Sequence, residues 1–401
     1  MKFQKNIFSR LTLTVIAGLF AIAVSACHDD VDNPDAPDDP AVIGETGRTV
    51  LVYMLASNNG LGASRPYDYD IQDIDEMISA AREGDIRNGR LLIFHSSSNG
   101  RQILKEITSS GAIDTLKIYD SSIVPQSVER MTEVLDDMAS LSPAKDYGLI
   151  LWGHGTGWIE DGLSEDVRSD VHTYSYGSEN GNYQKMNITS MAYALEGRGL
   201  SFVYFDCCYM ASVEVAYQLR HVTPRLVVYP TEILAYGMPY DQNVKHFFAT
   251  EPELEAAARN TFDFYDKMTN PRYRMCTVSV INTAGLDRLA EVTRAIYANN
   301  STGIPAGYKP QSYTTSGHHY YCDFGGYVAA LNADEEQREQ FEAAMADVVA
   351  LELATEKIWG SLTISEHSGL STFIMSSDKD ASNNNYNRLD WYADVASSLI
   401  H

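Results

Sequence analysis

The sequence predicts an α/β fold: a mostly parallel central sheet covered by helices on both faces, with a smaller helical and mixed portion at the C-terminal end. Three observations predict it. Short apolar runs rich in β-branched residues occur at 49–56, 147–152, 201–205 and 225–229, as expected of strands buried on both faces. Segments with apolar residues at helical spacing lie between them. Strand and helix then alternate, the pattern that builds a parallel sheet.

The chain opens with Lys2, Lys5 and Arg10 and an apolar run over residues 11–23, ending in Val24-Ser25-Ala26-Cys27. That stretch is short for a membrane span and has the layout of an export signal over residues 1–26. Small residues directly before a cysteine resemble a bacterial lipobox, which implies that Cys27 becomes the acylated N-terminus. Residues 27–47 read as a tether. The stretch 28–48 holds six aspartates and three prolines with almost no apolar content, and cannot bury enough surface to fold. An acidic run after a lipidated cysteine resembles a surface-export tag, so an outer-membrane, surface-facing lipoprotein is expected.

About 350 residues remain for the folded part. The formal charge of −24 becomes −27 once residues 1–26, with three bases and no acid, are removed. Such a surface repels nucleic acid and anionic membranes and draws in cationic partners, although solubility also explains it. A monomer tethered to a bilayer through Cys27 is expected.

Within the folded part, residues 49–56 give the first strand. Ile71, Ile74, Met77, Ile78 and Ala81 mark a helix over 69–83, and 91–95 is the next strand. A hairpin turning at Ser-Ser-Gly covers 101–119, a helix about 126–140 and a strand 147–152. After a long polar stretch come a strand at 201–205, a helix at about 210–220 and a strand at 225–229. The catalytic region is expected to span 48–270. A helix at about 252–268 closes that region, and the C-terminal portion, 271–401, reads as a strand at 275–281 and helices at about 284–298 and 334–356, with a late strand at 369–375.

Two segments carry the chemistry. In Trp152-Gly153-His154-Gly155-Thr156-Gly157-Trp158 a buried strand runs into a histidine bracketed by glycines. In Phe205-Asp206-Cys207-Cys208-Tyr209-Met210 a buried strand ends in a cysteine before a helix. Sites in such sheets lie beyond the carboxyl ends of the strands. A helix N-terminus is expected to lower the thiol pKa, and the glycines allow close backbone approach. The N–H groups of Gly155 and Cys208 could hold an oxyanion while His154 moves the proton. Taken singly, a strand-end histidine or cysteine is also what a structural residue looks like. The pair is far more specific. Of the remaining cysteines, Cys207, Cys208, Cys276 and Cys322 form no metal-binding spacing, and a 207–276 or 208–322 disulfide stays open.

These two motifs, W-x-H-G-x-G-W and D-x-C-x-M-x-S-x-E-V, resemble the clostripain family of cysteine peptidases, relatives of caspases. The resemblance extends over most of the mature chain. It includes Val52-Tyr53-Met54, Asn58-Asn59, Asp73-Ile74, Glu76-Met77, the segment from Tyr236 to Tyr240, Asp323-Phe324-Gly325 and Gly369-Leu370-Ser371. It implies a caspase-like three-layer α/β/α sandwich in which Cys208, two residues after Asp206, is the nucleophile and His154 its partner. Strand alternation agrees, since Asp206 and Cys208 share a face and Cys207 does not. It also implies that Asp206 selects Arg or Lys at P1, through bidentate pairing with a guanidinium. The other reading of Asp206 is a helix cap. Ser57 stands where the family often has aspartate, and Met238 where it has tryptophan. The latter is expected to bear on the rim of the cleft.

The polar insert at about 159–199 is long enough to be functional, and exposed polar loops are where proteolysis concentrates. The resemblance implies self-cleavage there after a basic residue, with Arg168 the first choice and Lys185 the second; an uncleaved surface insert is the alternative. Adjacent His318 and His319 do not have metal-ligand spacing, and no P-loop, zincin or dinucleotide fingerprint appears. No cofactor or metal is expected. Calcium dependence is known in the family, but no loop spells a dense acidic ligand set. The expected function is a cysteine endopeptidase acting on polypeptides after Arg, or Lys. The alternatives are a lipoprotein that keeps the fold but only binds peptide or glycan, and a thiol-dependent transpeptidase.

Overall fold

The computed structural model describes residues 46–57, 61–62, 68–159, 186–315, 319–383 and 385–400. Nine strands form one sheet. They are β1 Arg48–Leu55, β2 Arg90–Ser96, β3 Gln102–Ile107, β4 Ile113–Ile118, β5 Asp146–Trp152, β6 Leu200–Asp206, β7 Arg225–Val228, β8 Thr277–Asn282 and β10 Val349–Ala354. Their order is β10-β8-β7-β6-β5-β1-β2-β3-β4. The pairs β2–β1, β1–β5, β5–β6 and β6–β7 are parallel, while antiparallel pairs extend both edges. Every residue of β1 is buried, which explains why its sequence is continuously apolar.

Alternate residues of β1 divide between two cores, as the two-residue strand period requires. Leu51, Tyr53 and Leu55 face one layer and Val50, Val52 and Met54 the other. Helices α1 Tyr69–Arg82, α5 Tyr240–Phe247 and α6 Leu254–Asp266 cover the second face. On the first lie α2 Val128–Leu141, α3 Ile188–Leu195, α4 Val213–Gln218, α7 Leu286–Tyr297, α8 Phe324–Ala330 and α9 Glu335–Val348. The expected three-layer α/β/α arrangement is therefore present. The expected boundary near 270 falls between α6 and β8, and both sides supply strands to the one sheet.

Three expectations change. The helix read over 334–356 stops at Val348, and residues 349–354 form β10, paired antiparallel with β8. In Val-Ala-Leu-Glu-Leu-Ala the apolar residues alternate, and an open sheet edge satisfies their backbone groups. The strand read over 369–375 shrinks to β13 Ser371–Thr372, paired with β9 Cys322–Asp323. Helix α3 lies inside the polar stretch expected to carry no element, its Met191 and Leu195 packed in the core.

A buried carboxylate ties the C-terminal segment to the helix beyond Cys208. Glu214 in α4 accepts hydrogen bonds from Thr372 Oγ1 at 2.9 Å, Phe373 N at 3.0 Å and Tyr386 OH at 3.0 Å. Replacing it by alanine leaves three buried donors without their acceptor. Glu214→Ala is therefore expected to lose roughly 3 kcal/mol of stability in urea unfolding, and Glu214→Gln less than half of that. An alanine variant as stable as the parent would show that the tie does not hold the segment.

Candidate active site

Strands β5 and β6 are parallel neighbours, with Leu151 opposite Phe205 and Trp152 opposite Asp206. His154 and Cys208 each follow their strand by two residues, so the pairing brings the two loops side by side at the carboxyl edge of the sheet. The glycines between them explain how closely. A Cβ on Gly155 would lie 2.7 Å from the Cys208 carbonyl oxygen, and one on Gly157, at φ 60°, 2.6 Å from that of Tyr209. Only glycine permits this approach.

His154, Gly155, Asp206 and Cys208 line one cleft of about 220 Å³, with Glu232, Ile233, Leu234, Gly237 and Trp359 among its other walls. A separate cavity of about 390 Å³ between α8 and α9 is lined by Phe341, Met345 and Val349 and touches none of the four. His154 is half-buried. The N–H groups of Gly155 and Cys208 donate to no backbone acceptor among the described residues. Cys207 points the other way, buried, with its Sγ donating to the Leu151 carbonyl at 3.0 Å. All four described cysteines are free thiols, so neither of the two disulfides left open by the sequence is formed.

The turn after Cys208 corrects one expectation. Helix α4 begins only at Val213, with Ser212 as its cap, so Cys208 does not sit at a helix N-terminus. Instead Tyr209 adopts φ 59°, an unusual conformation for a bulky residue. Two contacts hold it there. Its N–H donates to the Thr231 carbonyl at 3.0 Å, and its ring stacks on Tyr321 with centroids 4.5 Å apart. Tyr321 in turn donates to the Thr156 carbonyl at 2.7 Å, linking the Cys208 turn to the His154 loop. Without a helix dipole, burial and the nearby Glu232 carboxylate push the Cys208 thiol up to about 12. Its Sγ lies 3.6 Å from the Ile233 carbonyl.

Asp206 forms the floor of the cleft at 4% exposure. Its Oδ2 accepts from Met238 N and Tyr240 OH, each at 3.2 Å, whereas Oδ1 has no hydrogen-bond partner among the described residues. It caps no helix. Burial pushes its pKa up to about 6. Behind it, Trp152 Nε1 donates to the buried Asp73 at 2.5 Å, and Tyr240 N to Glu76 at 2.8 Å. Burial raises Asp73 well above the usual carboxylate range and Glu76 to about 7. Met238, expected at the rim, has its side chain fully buried and contributes only its N–H to the floor. Ser57 is buried with its hydroxyl 3.0 Å from that of Ser96.

Cys27, Arg168, Lys185, Asn58, Asn59 and His318 lie outside the described residues, and no group of His, Cys, Asp and Glu among the described residues could hold a metal ion. Sequence reasoning missed Glu232, Trp359 and the role of Tyr321. Their only sequence signals were a strand end for Glu232 and the turn dipeptide Trp359-Gly360.

The thiol environment predicts a reactivity order. At pH 7.5 iodoacetamide is expected to modify Cys208 in the uncleaved chain at least tenfold more slowly than free cysteine, because little thiolate is present. Cys207, Cys276 and Cys322 should react only after denaturation. Peptide mass mapping reads both, and faster labelling at Cys207 than at Cys208 would contradict the arrangement.

The sequence model of the clostripain family matches residues 52–395. Among solved structures, an inactive zymogen C11 protease from Parabacteroides distasonis is 30% identical, with a TM-score of 0.75 over 88% of this chain and 99% of the other. A secreted C11 cysteine protease from Bacteroides thetaiotaomicron, in complex with an irreversible peptide inhibitor, is 25% identical, with a TM-score of 0.71 over 86% and 98%. Comparison with curated proteins returned no match. Nearly the whole folded part being matched in sequence and in three dimensions, this chain belongs to the clostripain family and is a cysteine-type peptidase.

Proposed function

We propose that the chain is an endopeptidase cleaving after Arg or Lys, with Cys208 as nucleophile and His154 as acid and base. The observation that supports the specificity is Asp206, a buried carboxylate on the cleft floor with one oxygen unpartnered among the described residues. An incoming guanidinium or ammonium supplies the missing partner. In the reaction, the Cys208 proton passes to His154 as sulfur bonds to the scissile carbonyl carbon. The oxyanion that forms is held by the N–H groups of Gly155 and Cys208. His154 then gives its proton to the departing amine, and water hydrolyses the thioester. No cofactor enters this scheme.

The raised thiol supports a latent form as synthesised, activated by self-cleavage between His154 and Cys208. The Parabacteroides relative, described as an inactive zymogen, supports the same reading. Arg168 is the proposed cut, ahead of Lys185. Export as a lipoprotein through Cys27 rests on the N-terminal sequence; a relative described as secreted fits it, and no helix of the described residues is long and apolar enough to cross a membrane.

Reporter peptides ending in Arg, Lys or Asp at P1, given to the incubated protein, test the assignment. Arg and Lys reporters should be cut and Asp reporters not, with Cys208→Ala losing at least about a thousandfold. Cleavage that survives Cys208→Ala would overturn it. Asp206→Asn should lose about a hundredfold on basic reporters yet gain about 1–3 kcal/mol of stability at pH 8. The sign follows from its raised pKa. The folded state keeps a proton that the unfolded chain has released, so ionisation costs stability as pH rises from about 4 through 6, and the gain from asparagine should vanish at pH 4. Activity runs the other way, falling as pH drops through about 6 and Asp206 loses its charge.

Self-cleavage has its own readout. Wild type should appear as two fragments after incubation and Cys208→Ala as one, while Arg168→Ala should stay intact or shift its cut to Lys185. Two fragments from Arg168→Ala with an unchanged junction would remove Arg168.

A further inference from the structure

The cleft holds a second carboxylate that the P1 reading leaves unused. Glu232 follows β7, half-buried, at the start of the wall formed by residues 232–237. Its backbone is pinned. Thr231 N donates to Thr277 Oγ1 at 3.1 Å, and Thr231 Oγ1 to the Glu232 carbonyl at 3.0 Å. Glu232 has no ion-pair partner among the described residues, and no Lys or Arg is among the residues lining the cleft.

Among the described residues, its one side-chain hydrogen bond comes from the Trp359 indole N–H, to Oε2. Trp359 opens the three-residue connection 359–361 that joins β11 Lys357–Ile358 to β12 Leu362–Thr363, and with Gly360 it forms the centre of a β-turn closed by the Ser361 N–H on the Ile358 carbonyl at 3.1 Å. Trp359 has φ 53° and Gly360 φ 71°, the primed geometry that asparagine and glycine favour. A bulky residue is strained there, by about 1 kcal/mol or more. Strain of this kind persists where surrounding contacts hold it, and here they hold the indole against the cleft. The ring already meets a cation: the exposed Arg272 guanidinium lies 5.6 Å from its centroid. An acid with an open oxygen beside an aromatic ring is the chemistry that binds a lysine or arginine side chain.

We propose that Glu232 and Trp359 form a second cation subsite, which takes a further lysine or arginine side chain of the substrate within three residues of P1. The inference rests on the reading that Asp206 binds the P1 cation. It makes the preferred substrate a dibasic or closely spaced basic segment. It also gives the Trp359 turn a purpose, since the indole N–H orients one Glu232 oxygen and leaves the other for substrate.

Internally quenched peptides with Arg at P1, and a single Lys, Ala or Glu scanned from P3 to P2′, test it. Wild type should cut the best Lys peptide about tenfold faster, in kcat/KM, than its Ala counterpart, and the Glu peptide more slowly still. Glu232→Gln should reduce that Lys-to-Ala ratio to below about two, and Trp359→Phe, which keeps a ring but removes the N–H, to an intermediate value. Binding of the same labelled peptides to Cys208→Ala, by fluorescence anisotropy, gives the ratio without turnover. Equal Lys and Ala values at every position in wild type would overturn the subsite. So would a ratio that persists in Glu232→Gln, which would place the second cation elsewhere, or a Glu232→Gln loss shared equally by all peptides, which would place Glu232 in P1 recognition. Failure of the P1 reading shows separately, as binding that does not depend on Arg at P1.

Discussion

The parallel pairing of β5 with β6 is the constraint on which the site depends. Because Trp152 lies opposite Asp206, the loops that follow start from adjacent points and must run side by side. Each then presses its backbone against the other. Gly155 meets the Cys208 carbonyl and Gly157 that of Tyr209 at distances no side chain would allow. Tyr321 reaches in from far along the chain to stack on Tyr209 and bond Thr156. Three segments thus hold one another, and the positive φ of Tyr209 is sustained by that packing rather than by local preference.

Charge imposes the second constraint. Asp206, Asp73 and Glu76 are carboxylates gathered beside the cleft, and burial raises each. A buried carboxylate with an unpartnered oxygen opposes folding. On the proposed reading it suits a site that receives a cation, because the substrate then provides what the protein withholds. Glu232 adds a further negative group beside the thiol, and after burial, the larger cause, it raises the Cys208 thiol; on the proposed reading the same charge would attract a basic substrate.

The C-terminal third serves the site from a distance. Strands β8 and β10 complete the sheet, Glu214 binds the segment around Thr372 to the helix beyond Cys208, and the Trp359 turn closes one wall of the cleft. The distant partners of these residues have no local signature. Glu214 stands in the motif that follows Cys208, but nothing near it names the donors it binds, and residues 349–354 continue a helical composition until an exposed edge of β8 captures them as a strand. Hydrogen bonding to a distant neighbour decides such cases, and a window of sequence does not contain the neighbour.

By itself the sequence determined the layered α/β architecture, the strand ends that bear His154 and Cys208, and the family, because strand burial and glycine-flanked motifs are written in consecutive residues. It also marked Cys207 as the buried thiol of the adjacent pair, through the family motif with which strand alternation agreed. Only the tertiary structure decided the electrostatics. It moved the helix N-terminus away from Cys208, sent Met238 into the core, left one oxygen of Asp206 without a partner among the described residues and brought Glu232 and Trp359 to the cleft. The reason is that pKa and pairing depend on which distant groups and how much protein surround a side chain, and those are properties of the packed fold.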